Sequence, residues 1–202
     1  QEGPLVREFD PIRQLNKKIA PVKKLASAEA AKIIDVARAV LAVRCRETDP
    51  FSYAGEVRQA DLERGLRLYL FSMIPERRMP LENYTGFLAL RNGVPIGYGG
   101  GWIFGERCEI GVNIFETFRG GENSYIFTNI LRVYNRVFGI KQFAVPPYQF
   151  GYGNDEGLKS GAFWFYYKLG FRPADESLAL LAASEAQKIE HNKKYHSSLK
   201  TL

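Results

Sequence analysis

The sequence predicts an α/β chain, an α+β mixed sheet in which an antiparallel meander is followed by β-α-β-α, and three features predict it. From Cys108 to Phe115 the residues alternate, with Cys108, Ile110, Val112 and Ile114 on one face and Glu109, Gly111, Asn113 and Phe115 on the other. That is the period of a half-buried strand. Behind it, Arg119-Gly120-Gly121-Glu122-Asn123-Ser124 leads into Ile126, Phe127, Ile130, Leu131, Tyr134, Val137 and Phe138, an apolar stripe at helical spacing. Ahead of it, Asn92-Gly93 stands between two strand-like runs, Tyr84 to Arg91 and Val94 to Phe104, and marks a hairpin.

In chain order, residues 1–26 carry scattered lysines and prolines without a steady period and read as an N-terminal arm or linker. Ser27 starts a helix whose apolar positions, Ile33, Ile34, Ala37, Val40, Leu41 and Cys45, keep helical spacing until Asp49-Pro50. Val57 to Met73 is expected to form a second helix through Ala60, Leu62, Leu66, Leu68, Tyr69 and Phe71. The meander follows, its middle strand made bare by Gly97, Gly99, Gly100 and Gly101, which implies a bulge or a close neighbour. Gly139 ends the helix of the apolar stripe, and Ile140 to Val145 gives a strand able to pair in parallel with the one before that helix. An aromatic, glycine-rich loop from Tyr148 to Glu156 precedes a short helix, Gly157 to Leu169. Phe171 to Ala182 has room for one or two final strands, and residues 183–202 read as a basic C-terminal helix or tail.

Composition narrows the function classes. The chain has 202 residues, 46% of them apolar, enough to bury a normal core as one domain, residues 27–182, with additions. No run of about 18 apolar residues is present, so no membrane partner is expected. Nothing at the start resembles a signal peptide, and a chain beginning at Gln1 reads as a processed product or an excised piece. Cys45 and Cys108 read as two reduced buried thiols, consistent with a cytoplasmic setting. His191 and His196 have no partners at metal spacing, so no metal is expected. The net charge of +6 favours anionic partners, although much of the excess lies in the tails. No nucleic-acid motif accompanies those tails, and a nucleic-acid partner is not expected.

A strand, a glycine turn and a helix N-terminus are the parts of an anion site, because the first turn's N–H groups point outward there. Most such turns only close a strand–helix connection, and both readings stand on the local residues alone.

Two motifs, within an order of elements that agrees from Ser27 to Ala182, resemble the GCN5-related N-acetyltransferases. In the first, Ile114 takes the family's aliphatic place and Arg119 its basic one; Glu122 and Ser124 stand where the family has Gly and Gly or Ala. In the second, Ala162, Tyr166, Lys168, Gly170 and Phe171 match a pattern across the last helix, with Lys159 replacing a leading Asn. The resemblance implies the acyl-CoA N-acyltransferase (GNAT-like) fold. It implies acetyl-CoA (coenzyme A) as cosubstrate, its thioester carbonyl polarised by a backbone N–H near Ile114 and its pyrophosphate held by Arg119, Gly120, Gly121, Glu122, Asn123 and Ser124. Tyr166 would be the general acid for the departing thiolate, and Glu109 or Glu116 the base. Glu109 faces away from Ile114, so a bulge would be needed to bring it round. The activity implied is transfer of an acetyl group to a small-molecule or peptide amine by direct attack. The alternative is a catalytically divergent module that binds an acyl carrier or protein partner within a larger protein. A homodimer or a neighbouring domain fits either reading.

Overall fold

The computed structural model describes residues 6, 8–41, 51–118 and 121–202. The chain divides into two compact units, Gln1–Ala144 and Val145–Leu202. The first contains a mixed seven-stranded sheet in sequential order. Its strands are β1 (Lys23–Lys24), β2 (Arg58–Asp61), β3 (Leu66–Ser72), β4 (Asn83–Arg91), β5 (Val94–Phe104), β6 (Arg107–Ile114) and β7 (Gln142–Ala144). Pairing is antiparallel from β1 to β6, and β7 joins β6 in parallel. The expected mixed sheet and its closing parallel pair are therefore present. The meander is longer than expected, with six antiparallel strands among the described residues where three were anticipated.

The extra strands replace an expected helix. Val57 to Met73 forms β2, a 3-10 turn at Glu63–Gly65 and β3. Leu66, Leu68 and Leu70 face one side of the sheet and Tyr69 and Phe71 the other, all buried. A strand covered on both faces reads as a nearly continuous apolar run, which periodicity cannot separate from a buried helix. The turn is made by Arg64 and Gly65, both with positive φ.

Two helices cover the two faces. Helix α2 (Ser27–Leu41) packs Ala30, Ile34 and Ala37 against Tyr69, Phe71, Leu88 and Tyr98. Its expected continuation through Cys45 lies outside the described residues. Helix α3 (Asn123–Phe138) takes the other face, where Tyr134 meets Phe87 edge-on at 6.2 Å and donates its hydroxyl to the Thr85 carbonyl at 2.6 Å. Gly139 terminates it in the left-handed conformation, as expected. The bare strand has a steric cause. A Cβ at Gly99 would lie 2.7 Å from the Phe87 ring and 2.1 Å from the Gly111 carbonyl oxygen. A register shift beside Ala89 and Leu90 adds a bulge on the β4–β5 ladder.

The arm is structured in part. Helix α1 (Pro11–Asn16), capped by Asp10, rests on α3. Gln14 donates to Asn129 at 3.0 Å, and Phe9 meets Tyr125 edge-on at 5.7 Å.

The second unit is helical: α4 (Pro147–Phe150), α5 (Asp155–Lys159), α6 (Ala162–Lys168) and α7 (Glu176–His191). The expected final strands are not formed. Asp175 accepts the Leu178 N–H at 3.0 Å and starts α7 inside the segment read as strand, an N-cap that the alternating leucines obscured. Among the described residues, no helix is long and apolar enough to cross a membrane.

Candidate active site

The turn into α3 is where most of the expected binding residues meet. Ile114 ends β6, a 3-10 turn at Glu116–Phe118 follows, and Gly121 (φ 97°) hands the chain to α3. Arg119 and Gly120 lie outside the described residues. Glu122 occupies the N-cap position, yet its side chain does not cap the helix. Its carboxylate is 3% exposed and pairs with Arg91 and, at 3.6 Å, with Arg64, while also accepting the Val6 N–H at 2.8 Å. Burial alone would raise the Glu122 carboxyl. The Val6 bond and the two guanidinium groups outweigh it and hold the acid below its usual range.

This arrangement bears on the local charge. Two arginines share one carboxylate, which leaves an excess of one positive charge beside the first turn of α3. Nε and Nη2 of Arg91 are buried with no hydrogen-bond partner, and so is Oδ1 of Asn123. Unfilled guanidinium donors and an uncapped helix start are compatible with a phosphate-like anion.

Along β6 the geometry changes beyond Glu109. Strand β7 pairs only with Arg107, Cys108 and Glu109. Residues Ile110 to Ile114 continue along β5 past the end of that parallel ladder, so the two strands part company midway along β6. The β5–β6 register is continuous from Arg107 to Ile114, and Glu109 keeps the face opposite Ile114. Glu109 is exposed and lines a hollow of about 570 Å³ with Met79, Glu82, Trp102, Phe104 and Arg107. Glu116 is exposed in the turn. Cys108 is fully buried, and desolvation pushes its thiol up to about 12, so it is not a nucleophile at neutral pH.

Tyr166 belongs to the second unit. It is 3% exposed on α6, stacked on Phe150 at 5.8 Å and met edge-on by Phe165 at 5.0 Å and Phe171 at 5.6 Å. Its hydroxyl donates to Gln149 at 2.8 Å, and burial raises its pKa well above the ordinary phenol. Gly170, with positive φ, lets the Phe171 N–H return to the Tyr166 carbonyl at 3.1 Å, so the end of the sequence motif is a helix-terminating turn.

The structure thus gathers Ile114, Gly121, Glu122, Asn123 and Ser124 at one corner of the first unit. Glu109 stays on the other face of the sheet, and Tyr166 sits in an aromatic cluster of the second unit. Sequence reasoning did not single out Arg64, Arg91 or Glu82. No local signal marks Arg91 as the partner of Glu122, since the two are 31 residues apart. Among the described residues, no group of three His, Cys, Asp or Glu could hold a metal ion.

No family model matches the chain, and no curated protein matches it. Among solved structures it is similar to an aminoglycoside acetyltransferase from an uncultured soil metagenomic sample, determined in complex with trehalose. The two are 13% identical with a TM-score of 0.38, over 77% of this chain and 89% of that chain. A likeness of that size carries no functional weight.

Proposed function

We propose that the chain is an acyl-CoA-dependent N-acyltransferase of the GNAT type, transferring an acetyl group to an amine. The observation that supports this most is the withdrawal of Glu122. Its carboxylate was the one feature of the turn that would repel a pyrophosphate, and it is turned into Arg91 and Arg64. What remains at the start of α3 is N–H groups, unfilled Arg91 donors and one excess positive charge. The sequence motif ending at Gly170-Phe171 supports the same family.

Acetyl-CoA would supply the thioester, and free coenzyme A would leave as the thiol. The amine nitrogen attacks the carbonyl carbon, the C–N bond forms, and the C–S bond breaks. One proton leaves the amine and one reaches the thiolate. Asn123, Ser124 and the first-turn N–H groups of α3 would hold the pyrophosphate end, and the buried Arg91 charge would favour it from behind. Glu116, exposed in the turn after β6, would accept the amine proton directly or through water, whereas Glu109, held on the opposite face by a continuous register, would not.

A second reading draws on Tyr166. A phenol that is buried, bonded to Gln149 and raised in pKa is a poor donor to a thiolate. That favours a divergent module of the same fold, binding an acyl carrier or protein partner without turnover.

Calorimetric titration of the full chain with acetyl-CoA and with free coenzyme A tests the proposal. Both should bind. Ser124→Asp should weaken binding about tenfold while leaving the fold intact, because an acid in the first turn suits the helix dipole but repels a phosphate. Absence of binding at millimolar ligand sinks the proposal. Binding without acyl transfer to any of a panel of amines selects the second reading.

A further inference from the structure

The hollow beside Glu109 has a chemistry of its own. It lies on the sheet face that α2 covers elsewhere, toward the β5–β6 hairpin. The ladder sets Trp102 between Tyr84 and Glu109, and Phe104 opposite Arg107. Tyr84 packs against the indole at 5.2 Å, tilted by 58°, and braces it from the β4 side. Phe104 and Met79 stay about half exposed, at 54% and 46%, an unusual state for two large apolar side chains flanking one cavity. Glu82 and Glu109, both exposed, enter the same lining. Among the described residues neither is in an ion pair, so both carboxylates face the hollow with their charge unneutralised by a direct partner. Two carboxylates against the single Arg107 leave one net negative charge over an apolar floor.

We propose that this hollow binds an organic cation, one ammonium group carried on an apolar body. The aromatic face of Trp102 and the two carboxylates attract the ammonium, Phe104 and Met79 accept the body, and Arg107 disfavours a second positive charge. The hollow lies on the face opposite Ile114 and toward the other end of β6, so cation binding there goes beyond the acyltransferase reading and does not rest on it.

The test uses the full chain without coenzyme A and phenethylammonium as the probe, with 2-phenylethanol as its uncharged counterpart. The chain has two tryptophans, Trp102 and Trp164, so Trp102→Phe assigns their indole N–H resonances. The cation should shift the Trp102 resonance and leave that of Trp164 in place. It should bind about tenfold more tightly than the alcohol and lose about tenfold in the Glu82→Gln, Glu109→Gln double variant. Both glutamates are exposed, so the variant should fold, as an unchanged melting temperature will verify; Glu82→Gln alone serves if it does not. Equal affinity for cation and alcohol, an unmoved Trp102 resonance, or full affinity in the variants overturns the proposal. Coenzyme A titration separates the two ideas. Cation binding without coenzyme A binding removes the acyltransferase reading and keeps the hollow, and the reverse outcome removes the hollow alone.

Discussion

At the start of α3 a buried carboxylate is held between two guanidinium groups, whereas around α6 three aromatic rings enclose a single phenol. The first region is ionic: Glu122, Arg91 and Arg64 come from three separate stretches of chain, and the Val6 N–H adds a fourth. The second is short-range: Phe150, Phe165, Tyr166 and Phe171 fall within a span of 22 residues, with the Gln149 bond as its polar contact. An ionic cluster depends on every partner, because a buried charge left alone is costly. An aromatic cluster spreads its stabilisation over many weak contacts and tolerates the loss of one polar atom.

That contrast can be broken by substitution. Glu122→Ala leaves the largely buried Arg91 unpaired and should destabilise the chain by about 3–5 kcal/mol in denaturant titration. A loss below about 1 kcal/mol would mean that the ion pairs are dispensable. In the second region, Tyr166→Phe removes the bond to Gln149 but keeps the ring, and should cost only about 1 kcal/mol. The same variant tests chemistry: turnover lowered at unchanged coenzyme A affinity would restore Tyr166 as an acid despite its burial. The smallest effect is expected from acid. The folded pKa of Glu122 lies below its ordinary value of 4.5, so its contribution is full above that value. It is lost as the pH falls through the lowered folded value. Unfolding measured between about pH 7 and about pH 3 should therefore weaken less steeply in Glu122→Gln than in the parent chain. Identical slopes would contradict the depressed acid.

Much of the fold was legible because it is written locally. Asn92-Gly93 adopts positive φ at both residues and turns β4 into β5, and Gly139 stops α3. The stripe from Ile126 to Tyr134 is buried as its spacing requires. The reading failed where burial on both faces erased the period, at Leu66–Ser72, and where one capping aspartate outweighed the strand-like run after Phe171. The site was legible as a turn and a motif. Its electrostatics were not, because Glu122 taken alone is simply an acid at a helix start.

The sequence by itself determined the strand–turn–helix unit, the hairpin and the helix stops, since each depends on the φ preference of one or two residues or on a short period. Tertiary structure decided the sign of the charge at the turn. It directed Glu122 inward to Arg64 and Arg91 rather than outward over the first turn of α3, and among the described residues it left Glu82 and Glu109 outside any ion pair, beside Trp102. The physical reason is common to both. A charge takes its effect from the groups within a few ångströms, and groups distant in the chain, Arg91 and Glu122 at 31 positions among them, are brought that close only by the folded sheet.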